Sequence, residues 1–204
     1  MEVLILSKTH FGFDSVCVGG MVLSNAQYVR LLTSQGCYQF VDTKLNVGDI
    51  WDMKFTSCTH CREPHNEDVM VMSQHYLRHI DRITQVIKDS HTPIWEGTID
   101  HIFESKLHWT QSGVGYLSVK HPDYPCHSVG FWLSNEPLTL EEGYYWYPTG
   151  NQFISRKLRF KGVNKPLEVI PAHTLIRVSM AKWWKPENSK LEERCYTQLS
   201  GWYE

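Results

Sequence analysis

The chain has 204 residues, 42% of them hydrophobic and 21% charged, with a formal net charge of −2. That balance supports a packed core and excludes a disordered or low-complexity chain. The longest apolar runs are about eight residues, far short of the roughly 20 that span a bilayer, so no membrane partner is expected.

Taken in order, Glu2–Leu6 is a continuous apolar run, read as a buried first strand and not as a signal peptide because no basic segment precedes it. Ser7–Ser15 reads as a polar loop. Val16–Val22 is a second strand, and its Gly19-Gly20 pair marks a bulge or bend. Tyr28–Leu32 is a third strand, and Asp49–Thr56 alternates as a half-buried fourth. Four short strands with bulge signals point to a small barrel. Val69–Met72 is a short strand. Ser73–Ser90 then reads as a helix, with Tyr76, Leu77, Ile80, Ile83, Val86 and Ile87 on one face, Ser73 as N-cap and Pro93 as stop. Beyond it, Val114–Val119, Val129–Leu133, Leu158–Phe160, Leu175–Met180 and Arg194–Trp202 read as strands separated by Pro, Asn and Gly turns. The expected fold is mainly β with one main helix: two OB-like small β-barrels packed together, divided between 1–93 and 94–204. The last stretch, from His173, closes the second barrel.

Charge is unevenly placed. Residues 1–150 carry 10 Lys and Arg against 17 Asp and Glu, a balance of −7; residues 151–204 carry 10 against 5, a balance of +5. The split suggests an anionic partner at the C-terminal end. Arg156, Lys157, Arg159 and Lys161 lie on one short strand. Alternation gives Lys157, Arg159 and Lys161 a uniformly cationic face, able to track phosphates beside aromatics that stack bases. Arg177, Lys182, Trp183 and Trp184 add to this set. In Tyr144-Tyr145-Trp146-Tyr147 a strand would bury alternate rings. The competing reading is a solvated sheet face over core tryptophans.

Six cysteines (Cys17, Cys37, Cys58, Cys61, Cys126, Cys195) lack the density of a disulfide framework, so a reducing cytoplasm is expected. Cys58 and Cys61, with His65, are the candidate metal ligands; zinc needs a fourth. The alternative is a plain connecting loop, and no cofactor is the leading expectation. His75 and His79 are spaced i, i+4 on the predicted helix, without the glutamate of a zinc-protease motif. His65, Glu67 and Asp68 could do acid–base work or hold a divalent ion, or could simply orient the next strand. No nucleophile elbow, phosphate loop or dinucleotide fingerprint is present, so no catalytic residue is assigned.

Several stretches resemble the prokaryotic family of dual OB-containing domain proteins. They are Ile5-Leu6-Ser7-Lys8-Thr9, Val16-Cys17-Val18-Gly19-Gly20, Val29-Arg30-Leu31-Leu32, Gly48-Asp49-Ile50-Trp51 and Pro64-His65-Asn66-Glu67-Asp68-Val69. The end of the chain adds Ile176 to Trp184 and Arg194 to Tyr203. The resemblance implies two OB-like barrels and a setting in prokaryotic conflict or anti-phage defence. It brings no catalytic residues, and Cys58 and Cys61 fall outside its pattern. The leading expectation is a non-enzymatic protein binding single-stranded nucleic acid or a nucleotide. The alternatives are a protein-interaction subunit that meets a partner from the same operon through its C-terminal surface, and a metal-dependent enzyme centred on His65, Glu67 and Asp68.

Overall fold

The computed structural model describes residues 1–58 and 61–203. Thr59 and His60, the spacer of the Cys58/Cys61 pair, and Glu204, the end of the predicted second barrel, lie outside the described residues. The fold is mostly β, in two compact units: Met1–Thr92 with Tyr203, and Pro93–Trp202. No helix among the described residues is long and apolar enough to cross a membrane.

The first unit holds β1 (Glu2–Phe11), β2 (Ser15–Val22), β3 (Tyr28–Leu32), β4 (Gln39–Phe40), β5 (Asp49–Ser57), β6 (Asp68–His79) and a short helix, α1 (Ile83–Asp89). The strands pair in the order β1-β5-β6-β3-β2, and β1 pairs β2 as well, so five strands close into a barrel with β4 outside. β3 and β6 run parallel. Side chains of alternating strand positions, among them Val3, Ile5, Val18, Leu31, Trp51 and Met53, fill the interior. The glycine pair at positions 19 and 20 faces a register shift between Ile5 and Ser7, so the extra residue is on β1. A Cβ on Gly20 would meet the Leu4 carbonyl oxygen and Val3 Cγ1, both at 2.8 Å. The close approach of β1 is what requires glycine there.

The predicted helix Ser73–Ser90 is corrected. Residues to His79 belong to β6, which pairs antiparallel with β5 from Val69 to His79. Only Ile83–Asp89 is helical, Ser73 is no N-cap, and α1 has no side-chain cap. His75 and His79 therefore lie on a strand, with a register shift between them, and not on a helix face. The predicted loop at Ser7 is also strand as far as Phe11.

The second unit holds β7 (Ile94–Gly97), a 3-10 segment (Ile99–Ser105), β8 (His108–Trp109), β9 (Gly115–Ser118), β10 (Val129–Ser134), β11 (Leu138–Glu141), β12 (Tyr144–Tyr147), β13 (Arg156–Phe160), β14 (Val169–Ile170), β15 (Leu175–Met180) and β16 (Arg194–Tyr203). The sheet order is β14-β11-β12-β13-β16-β15-β10-β7, with β9 pairing both β8 and β16. One core gathers Phe103, Leu117, Trp132, Tyr145, Leu158, Ile176, Val178 and Leu199 from the 3-10 segment and six strands, so the sheet wraps a single interior.

Candidate nucleic-acid interface

Strands β12 and β13 supply the centre of the site. β11 and β12 are joined by Glu142 and Gly143, both at positive φ (49° and 78°), the backbone of a two-residue hairpin turn. That turn fixes the alternation of β12. Tyr145 and Tyr147 point inward and are buried. The Tyr145 hydroxyl donates to the Leu167 carbonyl and the Tyr147 hydroxyl to Asn135 Oδ1, each at 2.8 Å. Burial pushes the Tyr145 phenol up to about 12, against the pull of its hydrogen bond. Tyr144 and Trp146 are left on the outward face. Across the ladder Tyr144 faces Arg159 and Trp146 faces Lys157.

The cations on this face are held by rings and not by carboxylates. Lys157 Nζ lies 4.6 Å from the Tyr144 ring centre and 4.3 Å from that of Trp146. The Arg159 guanidinium lies 5.9 Å from the Tyr144 ring. Among the described residues, none of the ion pairs involves Lys157, Arg159 or Lys161. Burial, and then the charge of Arg159, pull the Lys161 ammonium below its ordinary value. An anion arriving here meets positive charge with no carboxylate to displace. Glu141, opposite Tyr144 on β11, sets the acidic limit of the patch.

The same outward face continues beyond β13. Val114 bridges to Lys157, Tyr116 of β9 faces Tyr196 of β16, and His108 of β8 faces Tyr116. The Arg194 guanidinium stacks over Tyr116 at 3.9 Å but is ion-paired with Glu192 at 2.6 Å. Trp184, 55% exposed, pairs its backbone with Arg194.

The sequence-predicted residues divide accordingly. Lys157, Arg159 and Lys161 come together. Arg156 points to the other side, stacks on Trp109 at 4.3 Å and is neutralised by Asp100 at 2.8 Å. Arg177 is a correction: it is 3% exposed, within a strand buried along its whole length, so it does not reach the face. Lys182 and Trp183 are half-buried, and Trp183 packs edge-on to Tyr124 at 5.2 Å. Tyr116, Tyr196 and His108 were missed in sequence, because only the register of distant strands brings them together.

The cluster around His65 is built differently. Arg30 on β3, 6% exposed, donates to Asp68 Oδ1 at 2.8 Å. Its other terminal nitrogen lies 3.3 Å from His65 Nδ1. The backbone N–H of Arg30 donates to the Glu67 carbonyl at 2.7 Å. Burial opposes the charge on Arg30, but the neighbouring carboxylates of Asp68 and Glu67 help hold the guanidinium above its ordinary value. The arrangement ties the 62–67 turn to β3. Cys61 Sγ donates to the Cys58 carbonyl at 3.4 Å. Among the described residues, no three His, Cys, Asp or Glu side chains form a group able to hold a metal, so Cys58, Cys61 and His65 are not gathered into one.

Comparison with known proteins places this architecture. Among solved structures, the chain is similar to a murine DNA-binding protein bound to double-stranded DNA, with 12% identity and a TM-score of 0.31, over 98% of this chain and 90% of that one; a likeness at that level carries no functional argument. No curated protein matches. The model of the dual OB-containing domain family matches residues 1–202. The closed five-strand barrel, the second β-unit and this match together establish that the chain belongs to the dual OB-containing domain family.

Proposed function

We propose that the chain binds single-stranded nucleic acid on the outward face of β12, β13 and β16. The observation that carries this reading is the set Lys157, Arg159 and Lys161, cations without carboxylate partners, interleaved with Tyr144 and Trp146. Cations meet phosphates, and exposed ring faces meet bases. A duplex keeps its bases stacked inside and would leave the rings unused. Fluorescence anisotropy with labelled oligothymidine and oligouridine at low salt tests the reading. Wild type binds, and Arg159→Glu loses about tenfold or more in affinity as a phosphate contact turns repulsive. No binding of either probe at low salt would overturn it.

A second reading has its own observation. Phe13 is fully exposed and Phe40 is 65% exposed where β2 pairs β4, an apolar tip suited to a partner protein. Loss of a co-purifying neighbour-encoded protein on Phe13→Ser, with the oligonucleotide titration unchanged, would favour it. The proposed cellular setting is prokaryotic defence, which the family resemblance implies, in a reducing cytoplasm, which the sparse cysteines imply.

A further inference from the structure

We propose that Tyr144 and Trp146 form a slot that takes one nucleobase between their rings, in the place now held by the Lys157 ammonium, which swings out to the adjoining phosphate. The inference rests on the nucleic-acid reading and adds to it a base-accepting site and a moving residue.

Three observations support the slot. Tyr144 and Trp146 are two residues apart on one strand, so their Cα atoms lie about 6.6–6.8 Å apart on one face. That is close to two stacking distances of about 3.4 Å, the space one base needs between two rings. Second, Lys157 Nζ lies over both rings, 4.6 and 4.3 Å from their centres, so the two ring faces already share one occupant. Third, β12 is anchored from beneath by the hydrogen bonds of Tyr145 and Tyr147, which keeps both rings in place when the occupant changes.

Magnitudes decide the exchange. An ammonium over an exposed ring strengthens association by roughly two- to fivefold. A base stacked on an aromatic side chain contributes roughly five- to a hundredfold. The base therefore displaces the ammonium. Lys157 holds no carboxylate that would retain it, and the entering nucleotide brings a phosphate to receive it. Arg159, beside Tyr144, takes the neighbouring phosphate.

The test uses a ligand without phosphate. Adenosine binding, followed by calorimetry, strengthens about two- to fivefold in Lys157→Ala, because no ammonium has to leave. The same variant binds oligothymidine several-fold more weakly. A lysine acting only as a phosphate contact would leave adenosine unchanged. Trp146→Gln, with folding checked by thermal melting, weakens oligothymidine about tenfold and leaves binding of an abasic deoxyribose-phosphate oligomer unchanged. Adenosine bound no tighter by Lys157→Ala, or an abasic oligomer bound as tightly as oligothymidine by wild type, would overturn the slot while leaving phosphate recognition intact. Absence of oligothymidine binding by wild type at low salt removes the nucleic-acid reading and the slot with it.

Discussion

Lys157 and Arg159 in the second unit, and Arg30 in the first, show how the surroundings of a cation decide its use. The first two have rings but no carboxylate, and remain available to an anion. Arg30 is buried against Asp68 at 2.8 Å and is committed to the fold. Removing one charge of such a pair strands the other, so Asp68→Asn should cost about 3–5 kcal/mol in urea unfolding while leaving oligonucleotide binding by the folded fraction intact. A substitution with little effect on stability would reopen a functional role for the His65, Glu67 and Asp68 group. His79 gives a pH signature. Its Nδ1 lies 2.8 Å from Asp49 Oδ1, and that hydrogen bond, ahead of opposing desolvation and helped by the charges of Asp49 and Asp81, raises its pKa above the ordinary 6.5. Stabilisation of this kind is fully present below the unfolded-state pKa and is lost as pH rises through the higher folded-state value. The melting-temperature gap between wild type and His79→Asn should therefore be larger at about pH 5.5 than at about pH 8.5. An equal gap at both would remove the linkage.

At the scale of elements, local pattern and tertiary pairing disagree in instructive places. Tyr28–Leu32 and Leu175–Met180 were read at their observed bounds, because short apolar runs between turn residues mark buried strands. Ser73–Ser90 was not, because its apolar spacing suits a helix while β5 offers a long antiparallel partner. Pairing won as far as His79. Glu142-Gly143 is a hairpin turn without the usual Asn or Asp signal, so β11 and β12 were not read as a pair. Arg177 was misplaced because alternation implies one open face, whereas all six residues of β15 are covered. Gly20 tests the bulge. With a Cβ 2.8 Å from backbone oxygen, Gly20→Ala should destabilise by about 1–3 kcal/mol, read from chemical denaturation. A neutral or stabilising result would mean that β1 yields there at no cost.

For the whole molecule, the charge split and the sheet face lead to the same place. Residues 151–204 carry 10 Lys and Arg against 5 Asp and Glu, and Lys157 and Arg159 of β13 are among those outside the ion pairs of the described residues. The sequence showed that this strand was basic and which of its residues alternate. It could not show that Arg156 is quenched by Asp100, nor that Tyr116 and Tyr196 extend the face, since both depend on register between distant strands. The most direct measurement of the central claim is the salt dependence of oligonucleotide affinity for wild type and for Lys157→Ala/Arg159→Ala. Wild-type affinity should fall linearly on a log–log plot, and the double variant should lose about 0.7 from the slope for each phosphate contact removed. Identical slopes for the two proteins, or wild-type affinity independent of salt, would contradict the account.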